Sequence, residues 1–303
     1  MTNALVDVGR QWDKDIIPVL RATSIGRKLV ARNNKLSGKG IGNTSVKSYG
    51  YGASAAAVTN YHLITDYGDA VNVEDATVAI PIQQDEIRIH RRTYDSMVYD
   101  GMTPQSDQAQ DMAMKLSVEL DQLIIDGWKP DGTNYEIKGL YQVAGNSTAG
   151  ADFGTYGNAV ISCGTLIGLL QDDTIYSEGY NLILATAQYQ QLLGSISSTG
   201  VREMPQVLAM LNADVQDGQP KPGRIYQSSV LTAATGIITP VATEANMIYM
   251  DLIEAQQPTN TLYYEHGNTA RGDIILQQIG AAVPRFRRLS SGVTTAVGKF
   301  TAI

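Results

Sequence analysis

One long amphipathic segment constrains this chain more than any other feature. Between Thr103 and Trp128, apolar residues recur every three or four positions, which is typical of a helix with one buried face. The members of this apolar stripe are Ala109, Met112, Leu116, Leu120, Leu123 and Ile124. Thr103 suits the N-cap, Pro104 the first helical position and Gly127 a left-handed stop. The pattern predicts a helix over 104–127, roughly 35 Å long at about 1.5 Å per residue.

Size and composition indicate a folded protein. The chain has 303 residues, of which 43% are hydrophobic and 17% charged, enough to bury one large core or two modest ones. Its single cysteine, Cys163, excludes an internal disulfide framework. The longest weakly polar stretch, 159–170, is too short and too interrupted to span a bilayer. We expect neither a membrane span nor a secretory signal.

Charge is distributed unevenly along the chain. Residues 1–47 contain nine basic and three acidic side chains, a net charge of +6. Because the whole chain has a net charge of −7, residues 48–303 have a net charge of −13. A second basic group lies near the other end, at Arg285, Arg287, Arg288 and Lys299. The ends of the chain are therefore expected to face a different environment from the acidic middle.

The first 92 residues have little core of their own. Helical patterns over 6–20 and 24–32 precede a segment rich in Asn, Gly, Ser and Lys at 33–43, which predicts a flexible or extended arm. Two extended segments then follow, and the second alternates apolar and charged residues over 86–91. They predict a long two-stranded hairpin. Because a two-stranded ribbon is marginal in water, a neighbouring subunit is the natural surface for it.

Residues 158–262 predict a mixed α/β unit. Helices are expected at 158–170 and 186–193, and the Gly, Ser and Thr-rich run 145–157 that precedes them is expected to be a loop. Short apolar segments of strand length lie at 180–184, 224–226, 236–238 and 247–250. The tail 269–296 is strand-like again.

No constellation of catalytic or metal-binding residues is recognisable. The glycines of 37–42 lack the Lys-Ser/Thr ending of a phosphate loop, and His62, His90 and His266 have no ligand spacing. Cys163 lies in an apolar helical stretch, so a buried thiol is expected. The acidic residues of 126–136 fail the calcium-loop pattern and predict a turn. We therefore expect neither an enzyme nor a cofactor.

The basic arm is the one charged feature that implies a partner. Its central cations are Arg27, Lys28, Arg32, Lys35 and Lys39. In an extended segment with few aromatic residues, they suit contacts to nucleic-acid phosphates without base recognition. They equally suit ion pairs with the acidic body of an adjacent subunit. Both interpretations remain open from the residues alone.

The order of these segments resembles the tailed-phage major capsid fold of the Hong Kong ninety-seven type, which encapsulin shell proteins share. The local resemblance is carried by DEIRIHRRTYDSMVYDGMTPQSDQAQDMAMKLSVELDQLIIDGW and by the following IKGLY. Within it, Asp126–Gly127–Trp128 and Ile137–Lys138–Gly139–Leu140 are similar to the end of the family's long spine helix and to the turn after it. The architectural resemblance extends over nearly the whole chain.

The resemblance implies an α+β capsid fold with defined parts. Residues 1–44 would be the N-terminal arm and 45–92 the extended loop over a neighbour. Residues 93–154 and 266–303 would form the peripheral domain, with the spine helix at 104–127, and 155–265 the axial domain that meets its symmetry mates. A scaffolding extension ahead of the arm and a cross-linking Lys/Asn pair are not recognisable.

The resemblance also implies a function. The chain would be a major capsid protein that assembles as hexamers and pentamers into an icosahedral shell around the double-stranded DNA of a tailed virus. The shell would be built in the host cytoplasm, with scaffolding, portal or decoration proteins as separate partners and no membrane. The alternative within the same fold is an encapsulin nanocompartment that encloses protein cargo.

Overall fold

A computed structural model describes most of the chain and divides it into two compact units. The described residues are 24–51, 73–100, 104–173, 175, 177–213, 221–244, 246, 249–264, 272–286 and 294–303. Unit 1 comprises Met1–Thr44, Ala79–Ile137 and Asp251–Pro284, and unit 2 comprises Ser45–Val78, Lys138–Met250 and Arg285–Ile303. Thr103, the expected N-cap, and the predicted helix at 6–20 lie outside the described residues.

Helices and strands are numbered here in chain order. The helices are α1 (Gly26–Leu29), α2 (Arg91–Tyr99), α3 (Pro104–Ile125), α4 (Leu140–Val143), α5 (Asn158–Asp172), α6 (Thr186–Gly194) and α7 (Met204–Leu211). The strands are β1 (Ser45–Tyr51), β2 (Val73–Ala79), β3 (Ile82–Ile89), β4 (Gly127–Trp128), β5 (Ile137–Lys138), β6 (Ala144–Thr148), β7 (Tyr180–Ala185), β8 (Ile225–Ser228), β9 (Gly236–Pro240), β10 (Met250–Tyr264), β11 (Ile274–Phe286) and β12 (Thr294–Phe300).

The long helix α3 confirms the helical prediction for the amphipathic segment. All six residues of the predicted stripe are buried, whereas Met114 and Val118 on the other face are about half exposed. The helix ends at Ile125, two residues before the predicted limit. Gly127 then adopts φ +112°, the left-handed conformation expected of it, although it does so within β4.

The core of unit 1 lies between α3 and a three-stranded sheet in the order β10-β11-β3. Strands β11 and β3 pair antiparallel, from Ile274 opposite Ile89 to Ala281 opposite Ile82. Met112 and Ala113 of α3 pack in one apolar cluster with Ile274 and Leu276. The predicted alternation of β3 is confirmed, since every second side chain from Ile82 onward is exposed.

Unit 2 is built on a five-stranded sheet in the order β6-β12-β9-β7-β8. Strand β12 is parallel to β6 and antiparallel to β9, and β7 is antiparallel to β9 and parallel to β8. Helix α5 packs its Leu166 and Leu170 into the core, where Phe153 meets Phe300 edge to face at 5.8 Å. The predicted helices α5 and α6 and strands β7, β8 and β9 are confirmed.

Several elements differ from the sequence predictions. The loop expected at 145–157 contains most of β6, because its Gly, Ser and Thr residues occupy an outer strand paired with β12. Helix α7 was not predicted, and neither was α2, which replaces a linker after β3. The helix expected at 24–32 is reduced to the single turn α1. Within the described residues, no helix is long and apolar enough for a membrane span.

The division into units also falls at residues other than those expected. Strand β12 was grouped with the long helix, but it lies inside the sheet of unit 2, between β6 and β9. The expected extended loop is divided as well. Strands β1 and β2 form a separate two-stranded sheet, whereas β3 belongs to the sheet of unit 1. The connection 52–72 between β1 and β2, and hence the full hairpin, lies outside the described residues.

Candidate assembly surfaces

Arg27 and Arg32 of the basic arm form ion pairs within unit 1. Arg27 Nη2 lies 2.8 Å from Glu254 Oε1, and Arg32 Nε lies 3.1 Å from Glu254 Oε2. The Glu254 side chain is only 5% exposed. A buried carboxylate needs such partners, because an unpaired buried charge is costly. These two arginines therefore fasten the arm to β10, a role within the chain that the sequence interpretation did not include.

The three arm lysines differ from the arginines in their exposure. Lys28, Lys35 and Lys39 are all exposed to solvent. Lys28 lies in α1, and Lys35 and Lys39 lie between α1 and β1, so the three residues give this part of unit 1 a basic surface, which we call the basic strip. Lysine is a compact, mobile charge suited to phosphates in many orientations. The strip has the chemistry of a sequence-independent polyanion contact.

The arm segment 31–40 lies along β10 and contains a turn at 34–36. The Asn33 and Gly38 amides donate to the carbonyl oxygens of Leu252 and Glu254, at 2.9 and 2.8 Å. In return, the Leu252 amide donates to the Ala31 carbonyl at 2.8 Å. The arm therefore supplies backbone partners to β10, the outer strand of the sheet. An uncovered strand would be open to uncontrolled pairing with another chain.

A buried carboxylate on α3 holds the start of the described arm. Asp121 is 7% exposed and accepts hydrogen bonds from Ser24 Oγ at 2.8 Å, the Ile25 amide at 3.0 Å and the Gly26 amide at 2.8 Å. Burial raises the pKa of Asp121, and these hydrogen bonds oppose that rise. The sequence analysis missed this site, although a signal was present: Asp121 lies between the stripe residues Leu120 and Leu123.

A cleft of about 430 Å³ lies in unit 1 between α3 and β3. Lys115 and Glu119 line it on the helix side, and Ile82 and Trp128 lie at it with 53% and 41% exposure. Strand β3 is the other outer strand of the sheet, and within the described residues no further strand pairs with it. An open strand edge beside exposed apolar side chains is typical of a protein contact surface.

The other candidate residues that the structure describes form no catalytic or metal-binding group. Burial, with a contribution from Glu203, raises the pKa of Cys163 to about 12, so the thiol is inert and buried as predicted. Asp131 forms the predicted turn, accepting hydrogen bonds from the Asn134 and Thr133 amides, which lower its pKa to about 2. His90 is exposed and lies 3.1 Å from Asp273, whereas His62 and His266 fall outside the described residues. Within the described part of the chain, no group of three His, Cys, Asp or Glu side chains could hold a metal ion.

Comparison with known proteins places this geometry among shell proteins. A family model described as encapsulating protein for peroxidase (Linocin_M18) matches residues 11–219, which is more than half of the chain. No curated protein matches the sequence. Solved structures do match it, at low sequence identity.

Three of these structures cover almost the whole fold. The virus-like particle from Pyrococcus furiosus has a TM-score of 0.60 at 16% identity, over 96% of this chain and 98% of that chain. The capsid of Myoviridae phage XM1 has a TM-score of 0.63 at 13% identity, over 90% of each chain. A chain of Mycobacterium phage Che8 has a TM-score of 0.57 at 13% identity, over 92% of this chain and 91% of that chain.

At these identities the likeness shows a shared fold, and that fold is the tailed-phage capsid fold expected from the sequence. The family and the structural neighbours consist of structural shell proteins rather than enzymes. The chain therefore belongs to the Linocin_M18 family of encapsulating proteins.

Proposed function

We propose that this protein assembles in many copies, as hexamers and pentamers, into a closed icosahedral shell around the double-stranded DNA of a tailed virus. Two observations support the assembly: the open edge of β3 in unit 1, and the ribbon, by which we mean the two-stranded sheet of β1 and β2. The edge of β3, beside the cleft, has no partner strand among the described residues, and β1 and β2 form a sheet of only two strands. Such surfaces gain buried area when copies overlap.

In this proposal the parts of the chain have separate roles. Residues 1–44 are the arm, and 45–92 are the extended loop that lies over a neighbouring copy. The long helix, with its sheet, forms the peripheral part of each subunit, and the sheet of unit 2 forms the axial part. Scaffolding, portal or decoration proteins are further partners. Assembly in the host cytoplasm yields a virion capsid without a membrane.

The basic strip supports DNA as the content of the shell. Lys28, Lys35 and Lys39 are exposed on a chain whose net charge is −7, so they concentrate positive charge on one segment. Arg27 and Arg32 hold this segment in place through Glu254. A fixed row of lysines neutralises phosphates without reading bases, which suits a genome of any sequence.

A second candidate content is protein cargo, and the family match favours it. The matching family is described as encapsulating protein for peroxidase. A nanocompartment of this kind has the same shell geometry, so the two functions differ only in what the interior holds. The protein then needs an interior surface that recognises a cargo protein and has no need of a basic strip.

Analysis of purified particles distinguishes the two contents. Particles from the native source are treated with nuclease, and then the retained nucleic acid and co-purifying proteins are measured. A DNA shell retains protected double-stranded DNA. Its retention falls several-fold, and becomes more sensitive to salt, when Lys28, Lys35 and Lys39 are all replaced by Gln. Lys221→Gln, an exposed lysine of unit 2, is the matched control and leaves the retained DNA unchanged.

The result that contradicts DNA packaging is equally specific. Particles that contain a stoichiometric second protein and no protected nucleic acid support the nanocompartment instead. If the triple lysine variant retains as much DNA as wild type, the proposed shell still stands, but the proposed role of the basic strip is contradicted.

A further inference from the structure

Unit 2 contains an apolar pocket with two arginines at its border. The pocket has a volume of about 340 Å³, and its lining includes Met204, Leu208 and Ile225 together with Arg202 and Arg224. Beside it, Leu193, Ile196 and Val201 are 36%, 50% and 47% exposed. Clustered exposed apolar side chains on one small surface mark a contact site. Arginine within such a surface is a frequent anchor of protein interfaces.

The pocket is held in a fixed shape by a buried carboxylate. Glu203 is fully buried and accepts hydrogen bonds from Ser195 Oγ at 2.6 Å and from the Val160 amide at 3.1 Å. The Ser197 amide donates to the Val201 carbonyl at 2.9 Å, which closes the tight turn that presents Arg202. Because Val160 lies in the first turn of α5, Glu203 fixes Arg202 near the start of that helix.

The two arginines have few partners in their own chain. Among the residues that the structure describes, no hydrogen bond or ion pair engages the Arg202 side chain, which is exposed. Arg224 Nη1 donates only to carbonyl oxygens, of Lys221 at 2.8 Å and Gly223 at 3.3 Å. The segment Lys138–Met250 contains only four basic residues, against eight acidic ones. The pocket thus holds half of the positive charge of an otherwise acidic segment.

The opposite end of α5 has the complementary charge. The helix ends at Asp172 with Asp173 as its C-cap, both exposed, and its last turn contains no basic residue. Carboxylates at a helix C-terminus are unfavourable, because the helix dipole already places negative charge there. From Val160 to Asp173 the distance along the axis is about 20 Å at 1.5 Å per residue. The Arg202 pocket and the Asp172–Asp173 pair therefore lie near opposite ends of α5.

We propose that the Arg202–Arg224 pocket of one copy binds the Asp172–Asp173 end of α5 of the next copy. This inference rests on the proposed shell function and names the contact between its axial parts. The two surfaces differ and lie at opposite ends of one helix, so the contact is head to tail. A head-to-tail contact generates a ring when its rotation closes, as the rings of five and six in a shell require.

Two charge-reversal variants test the contact. Arg202→Glu reverses the pocket, and the double variant Asp172→Lys with Asp173→Lys reverses the acidic end. Each alone sets like charges against each other between copies, so rings and shells are lost while the circular dichroism of the subunit is retained. The control is Arg92→Glu, an exposed cation of α2 that does not line the pocket, and this variant still assembles. Arg202→Gln, which removes charge without reversing it, weakens assembly less than Arg202→Glu does.

Mixing the two variants gives a result that only a head-to-tail contact produces. In an equimolar mixture, every contact between unlike variants restores opposite charges, so alternating rings form again. A ring of six can alternate, whereas a ring of five cannot. Native mass spectrometry should therefore detect six-membered rings with three copies of each variant, without pentamers or closed shells. One chain that carries all three substitutions restores closed shells.

Failure of this contact is distinguishable from failure of the shell function. If wild-type protein forms shells and Arg202→Glu forms them equally well, the contact is overturned while the shell function stands. If the acidic-end variant assembles normally and only the pocket variant fails, the pocket has another occupant and the head-to-tail contact is overturned. If wild-type protein forms no rings at all, the shell function and this contact fall together.

Discussion

At the scale of single residues, the arm packs so closely against α3 at Gly26 that a larger side chain does not fit there. A Cβ atom added at Gly26 would lie 2.7 Å from Ile124 Cδ1 and 3.0 Å from Asp121 Oδ1. The chain must approach α3 this closely for the Ile25 and Gly26 amides to reach the Asp121 carboxylate. The smallest side chain is therefore part of the arm-docking site.

Gly26→Ala is expected to destabilise the fold by about 1–3 kcal/mol, the usual cost of overpacking a close contact. The free energy of unfolding from urea titration measures this cost. Gly42→Ala is the matched control, because a Cβ atom there meets no other atom within 4 Å. Equal stability of both variants would show that the arm does not pack against α3 as described.

Asp273 joins three parts of unit 1 through charge. Its carboxylate accepts a hydrogen bond from Arg88 Nε at 2.9 Å on β3 and from the Arg91 amide at 3.2 Å at the start of α2. The Arg88 guanidinium, followed by the Arg91 amide, lowers the pKa of Asp273. Because the folded-state pKa lies below the unfolded one, this carboxylate stabilises the fold above a pH of about 4 and loses that effect as the pH falls.

Asp273→Asn is accordingly expected to be less stable than wild type at pH 7, with the difference shrinking as the pH falls below about 4. Urea unfolding midpoints of wild type and variant, measured between pH 3 and pH 7, show how the stability difference changes with pH. Gly42→Ala, which changes no titratable group, is the control. A stability difference that stays constant across this range would contradict the assignment of the pKa shift.

At the scale of elements, α3 shows how much periodicity alone can predict. Its stripe residues are buried because three- and four-residue spacing places them on one face, and both faces were predictable from the sequence.

Leu120→Ala should cost about 2–5 kcal/mol of stability through lost burial and a residual cavity. Met114→Ala, on the half-exposed face, should change stability by less than about 0.5 kcal/mol. Equal losses measured by urea unfolding would contradict the orientation of the helix.

Other elements were less predictable because their signals are not local. Strand β6 has the composition of a loop, and pairing with β12, about 150 residues later in the sequence, makes it a strand. The pairing of β12 with β9 was not predictable for the same reason, since sheet order depends on long-range pairing. The sequence did not predict the hydrogen bonds of Asp121, because their donors lie in the arm, about 100 residues earlier in the chain. The exposed lysines were predictable in type, but the inward pairing of Arg27 and Arg32 was not.

The ribbon of β1 and β2 carries an element-scale prediction about assembly. Deleting about residues 50–75 shortens both of its strands, while the three-stranded and five-stranded sheets keep all of theirs. We expect soluble species of the size of a ring of subunits and no closed shells, because the overlap between rings is lost. Sedimentation velocity measures the sizes. Intact shells from the deletion variant would remove the ribbon from the account of assembly.

At the scale of the whole molecule, the chain has several surfaces of the kind that form contacts between proteins. The edge of β3, the cleft beside α3 and the two-stranded ribbon offer pairing or apolar burial that their own units do not complete. The pocket of unit 2 adds two arginines whose side chains form no ion pair with the described residues. In the proposed shell, overlap of identical copies would cover these surfaces.

The most direct test is the particle mass and shape of the purified protein. Light scattering after size exclusion, with electron micrographs of the same fractions, should show closed shells of many copies over a range of salt and protein concentrations. Monomers or dimers alone, under all of these conditions, would contradict the account.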